Sequence, residues 1–323
     1  MSINKMIVPY DEILAAREVI SDKVHRTPVV SSTYLGEHTN TKLYLKLELF
    51  QKTGSFKVRG VLNKLNSLSV KDKKNGVISL SAGNHAQALA WGAAQFDISA
   101  TITMPANSVA SKVEATRNYG GEVLFTDGNL LDYCLSIQKE RDYLLIHPFD
   151  DPKIIAGHGT IGLEIVEDVP DVDVVIVGIG GGGLISGIAA AVKARKPDTR
   201  IIGVEPEGAS AMSQSLQRGE PVHLDRVNTV ADGLSAPFAG EYTLAHVQEF
   251  VDDVVIVTDS EILKALKLIW DRCKVLAEPA ATSTLAAMLF NKVHLPKGAT
   301  VVCVLSGGNV NMDDIQNLIN PVE

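Results

Sequence analysis

The sequence predicts an α/β protein built on two parallel sheets, and three observations carry that prediction. Short apolar runs of strand length alternate with helical patterns over residues 76–147, and a second such series fills residues 172–305. Several of these runs end in loops of glycine, serine and asparagine before the next helix starts, as in strand–loop–crossover units. No apolar run approaches the ~20 residues of a bilayer span, so a chain with 46% hydrophobic residues has to bury them in its own core.

Taken in order, residues 9–22 read as an amphipathic helix with Asp11 and Glu12 in its first turn. Residues 26–33 are extended, because Pro28 biases Thr27 away from helix. An apolar run at 43–50 reads as a strand, and a helical pattern runs from Lys57 to about Leu68. The first alternating series has strands at 77–80, 99–104, 121–125 and 143–146, with helices at 86–95, 111–118 and 130–141 between them. The second series has a strand at 172–178, a glycine loop at 180–183, a helix at 184–195 and a strand at 200–205. A mixed, Gly-rich region covers 207–250. A strand at 253–257, helices at 259–275 and 280–291, and a last strand at 299–305 complete the pattern. The organisation expected is a large domain from residues 1–75 plus 148–323 and a small, mobile one from 76–147. No solenoid-type repeat is visible.

Net charge is −8 without long blocks of one sign, which argues against a nucleic-acid surface, and 5% aromatic residues leave little for base stacking. Cys134, Cys273 and Cys303 are far apart and form no ligand-like pair, which suits a reducing cytoplasm. The first residues carry no apolar signal segment. The expectation is a cytoplasmic globular protein with neither membrane nor nucleic acid as partner.

Four loops could carry chemistry. Lys57, just past Gly54-Ser55-Phe56, sits at the mouth of a strand, where open α/β sheets bind ligands. A desolvated lysine there is nucleophilic toward carbonyls, although a solvated helix-start lysine is the plainer reading. Gly180, Gly181, Gly182 and Gly183 between strand and helix offer backbone amides at a helix N-terminus, which favours a phosphate. Gly178, Gly180 and Gly183 also have the G-x-G-x-x-G spacing, with Glu205 at the end of the next strand. An NAD-dependent enzyme is therefore a rival reading. Ser81-Ala82-Gly83-Asn84-His85 suits a carboxylate or phenolate oxygen, or is simply a capping turn. Ser306-Gly307-Gly308-Asn309 follows the last strand and is either a turn or part of a ligand crevice. All four loops follow apolar strands, so a parallel sheet brings them to one edge. A lysine, a phosphate cup and a ring-nitrogen partner are together the inventory for pyridoxal phosphate. NAD would leave Lys57 and Ser306 without a role.

The chain resembles the fold-type II pyridoxal-phosphate enzymes, specifically the serine/threonine dehydratase (ammonia-lyase) and serine racemase family. Seven stretches carry the resemblance in order along nearly the whole chain: 48–60, 81–87, 156–160, 180–184, 231–233, Glu278-Pro279 and 306–309. The resemblance implies two three-layer, tryptophan-synthase-β-like domains and pyridoxal 5'-phosphate as cofactor. It implies that Lys57 forms the Schiff base and Phe56 packs on the cofactor ring, while Asn84 binds the ring's 3-hydroxyl. Gly180, Gly181, Gly182, Gly183 and Leu184 would cradle the phosphate and Ser306 would meet the pyridine nitrogen. Ser81 and His85 would hold the substrate carboxylate, and Glu278 would support the ring. The implied substrate is a small β-hydroxy amino acid, and the implied assembly is a homo-oligomer, dimer or tetramer.

Departures within the family narrow the reading. A neutral Ser306 hydroxyl stabilises a protonated pyridine less than a carboxylate would, which suits elimination of a β-leaving group. Racemases place a proton-bearing serine where this chain has Ala82, so elimination of L-threonine or L-serine is expected over racemisation, with serine racemase and 3-hydroxyaspartate ammonia-lyase as alternatives. The metal-binding members pair an acid with a second one six positions on. Here Glu205 is present but the partner position is Ala211, and no metal is expected. The short length after Ser306 matches the catabolic type, without a regulatory C-terminal domain.

Overall fold

The computed structural model describes residues 6–311, 313 and 315–319, so the first five residues, read above for signals, lie outside the described residues. The chain opens with α1 (Tyr10–Ile20), β1 (Val29–Ser31), α2 (Thr33–Thr39), β2 (Lys42–Leu47), α3 (Lys57–Asn66) and α4 (Val70–Asn75). A first alternating series follows: β3 (Val77–Leu80), α5 (Asn84–Ala94), β4 (Ala100–Pro105), α6 (Ala110–Asn118), β5 (Glu122–Thr126), α7 (Leu130–Arg141) and β6 (Leu144–Leu145). Then come α8 (Pro152–Asp168), β7 (Val174–Gly178), α9 (Gly183–Arg195), β8 (Arg200–Pro206), α10 (Ala211–Arg218) and α11 (Glu241–Phe250). The described chain closes with β9 (Asp253–Val257), α12 (Asp259–Leu268), α13 (Pro279–Leu289), β10 (Thr300–Leu305) and α14 (Ile315–Ile319).

Two sheets form. One has the order β1-β2-β10-β7-β8-β9 and the other β5-β4-β3-β6. All pairings are parallel except that of edge strand β1, which runs antiparallel to β2 with Val29 opposite Lys46. The larger sheet is covered on both faces, which is why its strands read as continuous apolar runs. Leu43, Leu45, Leu47, Val174, Ile176, Val301 and Cys303 face α12 and α13. The alternate residues Val175, Val177, Val302 and Val304 face α8, α9 and α11. In the smaller sheet Val77, Ile102, Met104 and Val123 pack against α5, and Val58, Val61 and Leu65 of α3 join the same core. Helix α3 therefore lies between the two sheets, with Lys57 at its N-terminus.

The longest helix, α8, is absent from the sequence expectation, since Gly157, Gly159 and Gly162 depress helix propensity by ~1 kcal/mol each. The fold uses those glycines for close approach. A Cβ at Gly157 would collide with the Arg59 carbonyl, and one at Gly159 would lie 3.0 Å from the Gly187 carbonyl of α9. The start of α8 is well marked: Asp151 Oδ1 accepts from the Lys153 and Ile154 amides at 2.8 and 3.2 Å, with Pro152 at the first helical position. Two other expectations are corrected. The strand expected at 43–50 stops at Leu47, where a 3₁₀ turn begins. The helix expected at 259–275 changes at Ile269 to a π turn ended by Lys274 at φ 57°.

Candidate active site

Strands β2, β10 and β7 are parallel neighbours, so the loops after them meet at one sheet edge. After β2 the chain makes two 3₁₀ turns, Glu48–Phe50 and Lys52–Gly54, before α3 starts at Lys57. Gly54 adopts φ 73°, and a Cβ there would collide with Asn309 Oδ1, so the position demands glycine twice over. Ser55 then bridges to Gly307, and the Phe56 amide donates to the Ser306 carbonyl at 3.1 Å. These contacts fix the lysine loop to the loop after β10.

Lys57 Nζ donates to the Pro148 carbonyl at 2.8 Å and lies 5.1 Å from the centroid of the Phe56 ring. The residue is half-buried by its surface, yet protein surrounds the amine. That desolvation lowers its pKa from 10.5 to about 8, against the opposing pull of Glu278. Three imidazoles share this environment. Burial first, and the Lys57 charge second, lower His85 to about 3, His147 to about 4 and His158 well below its ordinary value. At neutral pH they are uncharged donors and acceptors.

The N-terminus of α5 forms the second wall. Ser81 Oγ accepts from the Gly83 amide at 3.2 Å, and Asn84 Nδ2 donates to Glu278 Oε1 at 2.8 Å. Glu278 is buried, which raises its carboxyl to about 7 despite the Asn84 hydrogen bond. The His85 ring turns away into the smaller sheet, with Nε2 3.1 Å from Ser79 Oγ. A carboxylate in this cleft would meet the first-turn amides of α5 and the Ser81 hydroxyl, with no positive charge from His85.

The third wall is the glycine turn. Gly182, at φ 92°, is the N-cap of α9, whose first-turn amides have no intrahelical acceptor. The turn has no room for side chains. A Cβ at Gly181 would collide with the Phe149 ring, and one at Gly183 would lie 2.8 Å from the Phe149 carbonyl. Phe149 directly follows Pro148, the acceptor of the Lys57 hydrogen bond. The lysine and the glycine turn thus share one neighbouring segment although they are more than 120 residues apart in sequence.

These residues fit pyridoxal phosphate. They supply a desolvated amine for an aldehyde, amides at a helix N-terminus for a phosphate, an amide side chain at Asn84 and a buried hydroxyl residue at Ser306. Buried polar atoms without a partner in the chain gather nearby: His85 Nδ1, Thr53 Oγ1, Ser55 Oγ and both ring nitrogens of His158. The nicotinamide rival fares worse. Glu205, the residue a ribose would need, spends its oxygens on the Met212 and Ser213 amides, both at 2.8 Å, and on Ser213 Oγ at 2.6 Å. Among the described residues no cluster of three or more His, Cys, Asp or Glu side chains could hold a metal.

Sequence reasoning missed several neighbours of Lys57. His147 accepts from the Asp150 amide at 2.8 Å and stacks edge-on against Phe149 with ring centroids 4.6 Å apart. His158 lies in the stretch 156–160 that carries the resemblance but had no role assigned; from the unexpected α8 it packs edge-on against Phe56 at 4.7 Å. The position of His147-Pro148-Phe149 after a strand of the smaller sheet was the available signal.

Comparison with known proteins agrees with this geometry. The family model described as pyridoxal-phosphate dependent enzyme matches residues 20–307. The chain is 43% identical over 318 residues to the L-threonine ammonia-lyase of Thermotoga maritima, covering 97% of this chain and 79% of the relative. It is 40% identical over 322 residues to the L-threo-3-hydroxyaspartate ammonia-lyase of Saccharomyces cerevisiae, covering 98% of each. The structure of maize serine racemase superposes with a TM-score of 0.92 at 40% identity, covering 96% of each chain.

Proposed function

The chain belongs to the pyridoxal-phosphate-dependent enzyme family, and on that premise we propose that it is an ammonia-lyase acting on L-threonine and L-serine. The substrate loses its α proton and its β hydroxyl, and the released enamine is hydrolysed. L-Threonine gives 2-oxobutyrate and ammonia, and L-serine gives pyruvate and ammonia, with the water expelled in elimination balanced by the water consumed in hydrolysis.

The observation that carries the proposal is the state of Lys57. Its amine is desolvated, has a pKa of about 8 and is held by a single carbonyl beside the glycine turn. About a tenth of that amine is neutral at pH 7, far more than for a solvated lysine, so Lys57 can act both as attachment point and as the base that takes the α proton. Pyridoxal 5'-phosphate, when bound, accepts the electron pair left at the α carbon. The amides of Gly180, Gly181, Gly182, Gly183 and Leu184 would hold its phosphate, and Asn84, backed by Glu278, would hold its phenolic oxygen. Ser306 would meet its ring nitrogen and Phe56 would pack on the ring. Ser81 and the first-turn amides of α5, including that of His85, receive the substrate carboxylate.

Elimination is favoured over racemisation because Ala82 has no proton to exchange on the side opposite Lys57. The test is ammonia and 2-oxo-acid release from L-threonine, L-serine and L-threo-3-hydroxyaspartate, with chiral analysis of residual serine. D-Serine formed as fast as pyruvate would overturn the assignment, and Ala82→Ser should raise D-serine formation. The yeast relative makes 3-hydroxyaspartate the specific competitor, and a preference for it in the same assay would move the substrate assignment.

The proposal includes residues 76–147 moving as a smaller substrate-side unit against 1–75 plus 148–323, in a cytoplasmic dimer or tetramer. Phe50 and Leu276, 49% and 40% exposed, are apolar groups available for self-association, which light scattering on the purified protein tests.

A further inference from the structure

Asn309 has no part in the reading above, yet it joins three loops of the site. Its Nδ2 donates to Asn84 Oδ1 at 2.7 Å and to the Thr53 carbonyl at 2.8 Å. Its backbone amide donates to Glu278 Oε2 at 3.2 Å. These partners stand on the lysine loop, on the helix start of the smaller sheet and on the loop before α13. Gly54, lacking a Cβ, is what lets Asn309 lie against the lysine loop.

We infer that Asn309 is a positioning residue that fixes the orientation of the Asn84 amide, so that Asn84 can offer its ligand a hydrogen-bond donor and nothing else. The chemistry leaves one assignment. The Thr53 carbonyl can only accept, so the atom of Asn309 facing it is the nitrogen. Both hydrogens of that nitrogen are then used, one on Thr53 and one on Asn84. The atom of Asn84 facing Asn309 must accept, so it is Oδ1, and Nδ2 is left facing Glu278 Oε1 at 2.8 Å. One Asn84 N–H remains for the cleft. Such a group matches an oxygen carrying lone pairs, the phenolate side of the cofactor ring, and a rotated amide would present an acceptor to it instead. The inference rests on the proposed role of Asn84 as the ring-oxygen ligand.

The test titrates apoprotein with pyridoxal 5'-phosphate, reading the dissociation constant and the absorption maximum of the bound cofactor, with circular dichroism of each apoprotein as a fold check. Asn309→Ala should weaken cofactor binding by about tenfold, the weight of one oriented hydrogen bond, and displace the absorption maximum in the direction that Asn84→Ala does. Asn309→Asp keeps the shape but turns an acceptor toward Thr53 and Asn84, so it should bind more weakly than Asn309→Ala, and it carries the test if the alanine variant does not fold. The double variant Asn84→Ala/Asn309→Ala should bind no more weakly than Asn84→Ala alone. Multiplying losses, or wild-type binding by both Asn309 variants, would overturn the inference. Unchanged binding by Asn84→Ala would remove its foundation. Absence of 2-oxo acid from a wild type that shows the expected binding pattern would sink the lyase proposal and leave the role of Asn309 standing.

Discussion

Replacing Arg59 by methionine should destabilise the protein by ~3–5 kcal/mol at neutral pH, the usual cost of leaving a buried charge without its partner. Arg59 is 1% exposed at its side chain and stands two residues after Lys57 on α3. Its guanidinium makes four hydrogen bonds to two carboxylates: Nε and Nη2 to Glu48 at 2.9 Å each, and Nη1 and Nη2 to Glu164 at 2.7 and 3.0 Å. Lys46 adds a second buried cation, 2.6 Å from Glu164. Two cations therefore balance two carboxylates, and Arg59→Met leaves one net negative charge buried.

The deficit should also depend on pH, with a definite sign. In the wild type, burial opposes ionisation of Glu164, but Arg59 and Lys46 outweigh it and hold the carboxyl below its ordinary value. Such a group contributes stability that is present above its unfolded pKa and is lost as pH falls through the folded one. In the variant the excess carboxylate is buried with too little positive charge, so its pKa rises and the variant gains stability as pH falls from 7 toward 5. Thermal unfolding of the apoprotein at several pH values is the assay. The midpoint should fall by about 10 °C at pH 7, taking a few degrees per kcal/mol for a chain of this size, and the gap should narrow toward pH 5. Arg59→Lys, which keeps the charge without the planar fork, should fall between the two. A loss under ~1 kcal/mol, or one independent of pH, would refute the reasoning.

Two further outcomes follow from the site. Trapping of the apoprotein by a small aldehyde and borohydride should depend on Lys57, vanish in Lys57→Ala, and rise with pH about a midpoint near 8, since the neutral amine is the nucleophile; a midpoint near 10.5 would mean a solvated lysine. Gly181→Ala should cost ~1–3 kcal/mol by overpacking against the Phe149 ring and should weaken cofactor uptake, as melting and titration of the apoprotein will read; unchanged values would show that the turn adapts.

The sequence exposed what local rules govern. Strands buried on both faces, such as 174–178 and 300–305, read as apolar runs, and the glycine turn and Lys57 stood out as strand-end features. Parallel pairing then allowed their convergence to be inferred. Helix α8 stayed hidden because its glycines serve packing against α3 and α9, which only the tertiary structure displays. The contacts of Asn309 with Asn84 and Thr53 span 225 and 256 residues, and nothing local marks them. The orientation of the His85 ring was not legible for a related reason: its place in the loop was, but whether the ring faced the cleft or Ser79 depended on the core of the smaller sheet.

The placement of Lys57 on α3 bears on how such a cleft can open. Val58, Val61 and Leu65 of that helix belong to the core of the smaller sheet, while Arg59 anchors it to Glu48 and Glu164 on the larger-sheet side. The apolar packing of α3 against α5 is therefore continuous, and at the mouth the connections are polar: Asn84 to Glu278, Asn309 to Asn84, and Lys112 to Asp232 at 2.8 Å. Asp232 is 74% exposed at its side chain, so that ion pair is screened and worth ~0–1 kcal/mol. Separating the mouth exchanges these few polar contacts for water, whereas separating α3 from α5 would expose apolar side chains at ~1.5–3 kcal/mol each. Opening by rotation about the α3–α5 contact is the less costly motion. Under the function proposed above, such a rotation would leave Lys57 with its anchored helix while Asn84 and the first turn of α5 move, so the proposed base would stay fixed and the amides proposed for the substrate carboxylate would approach it.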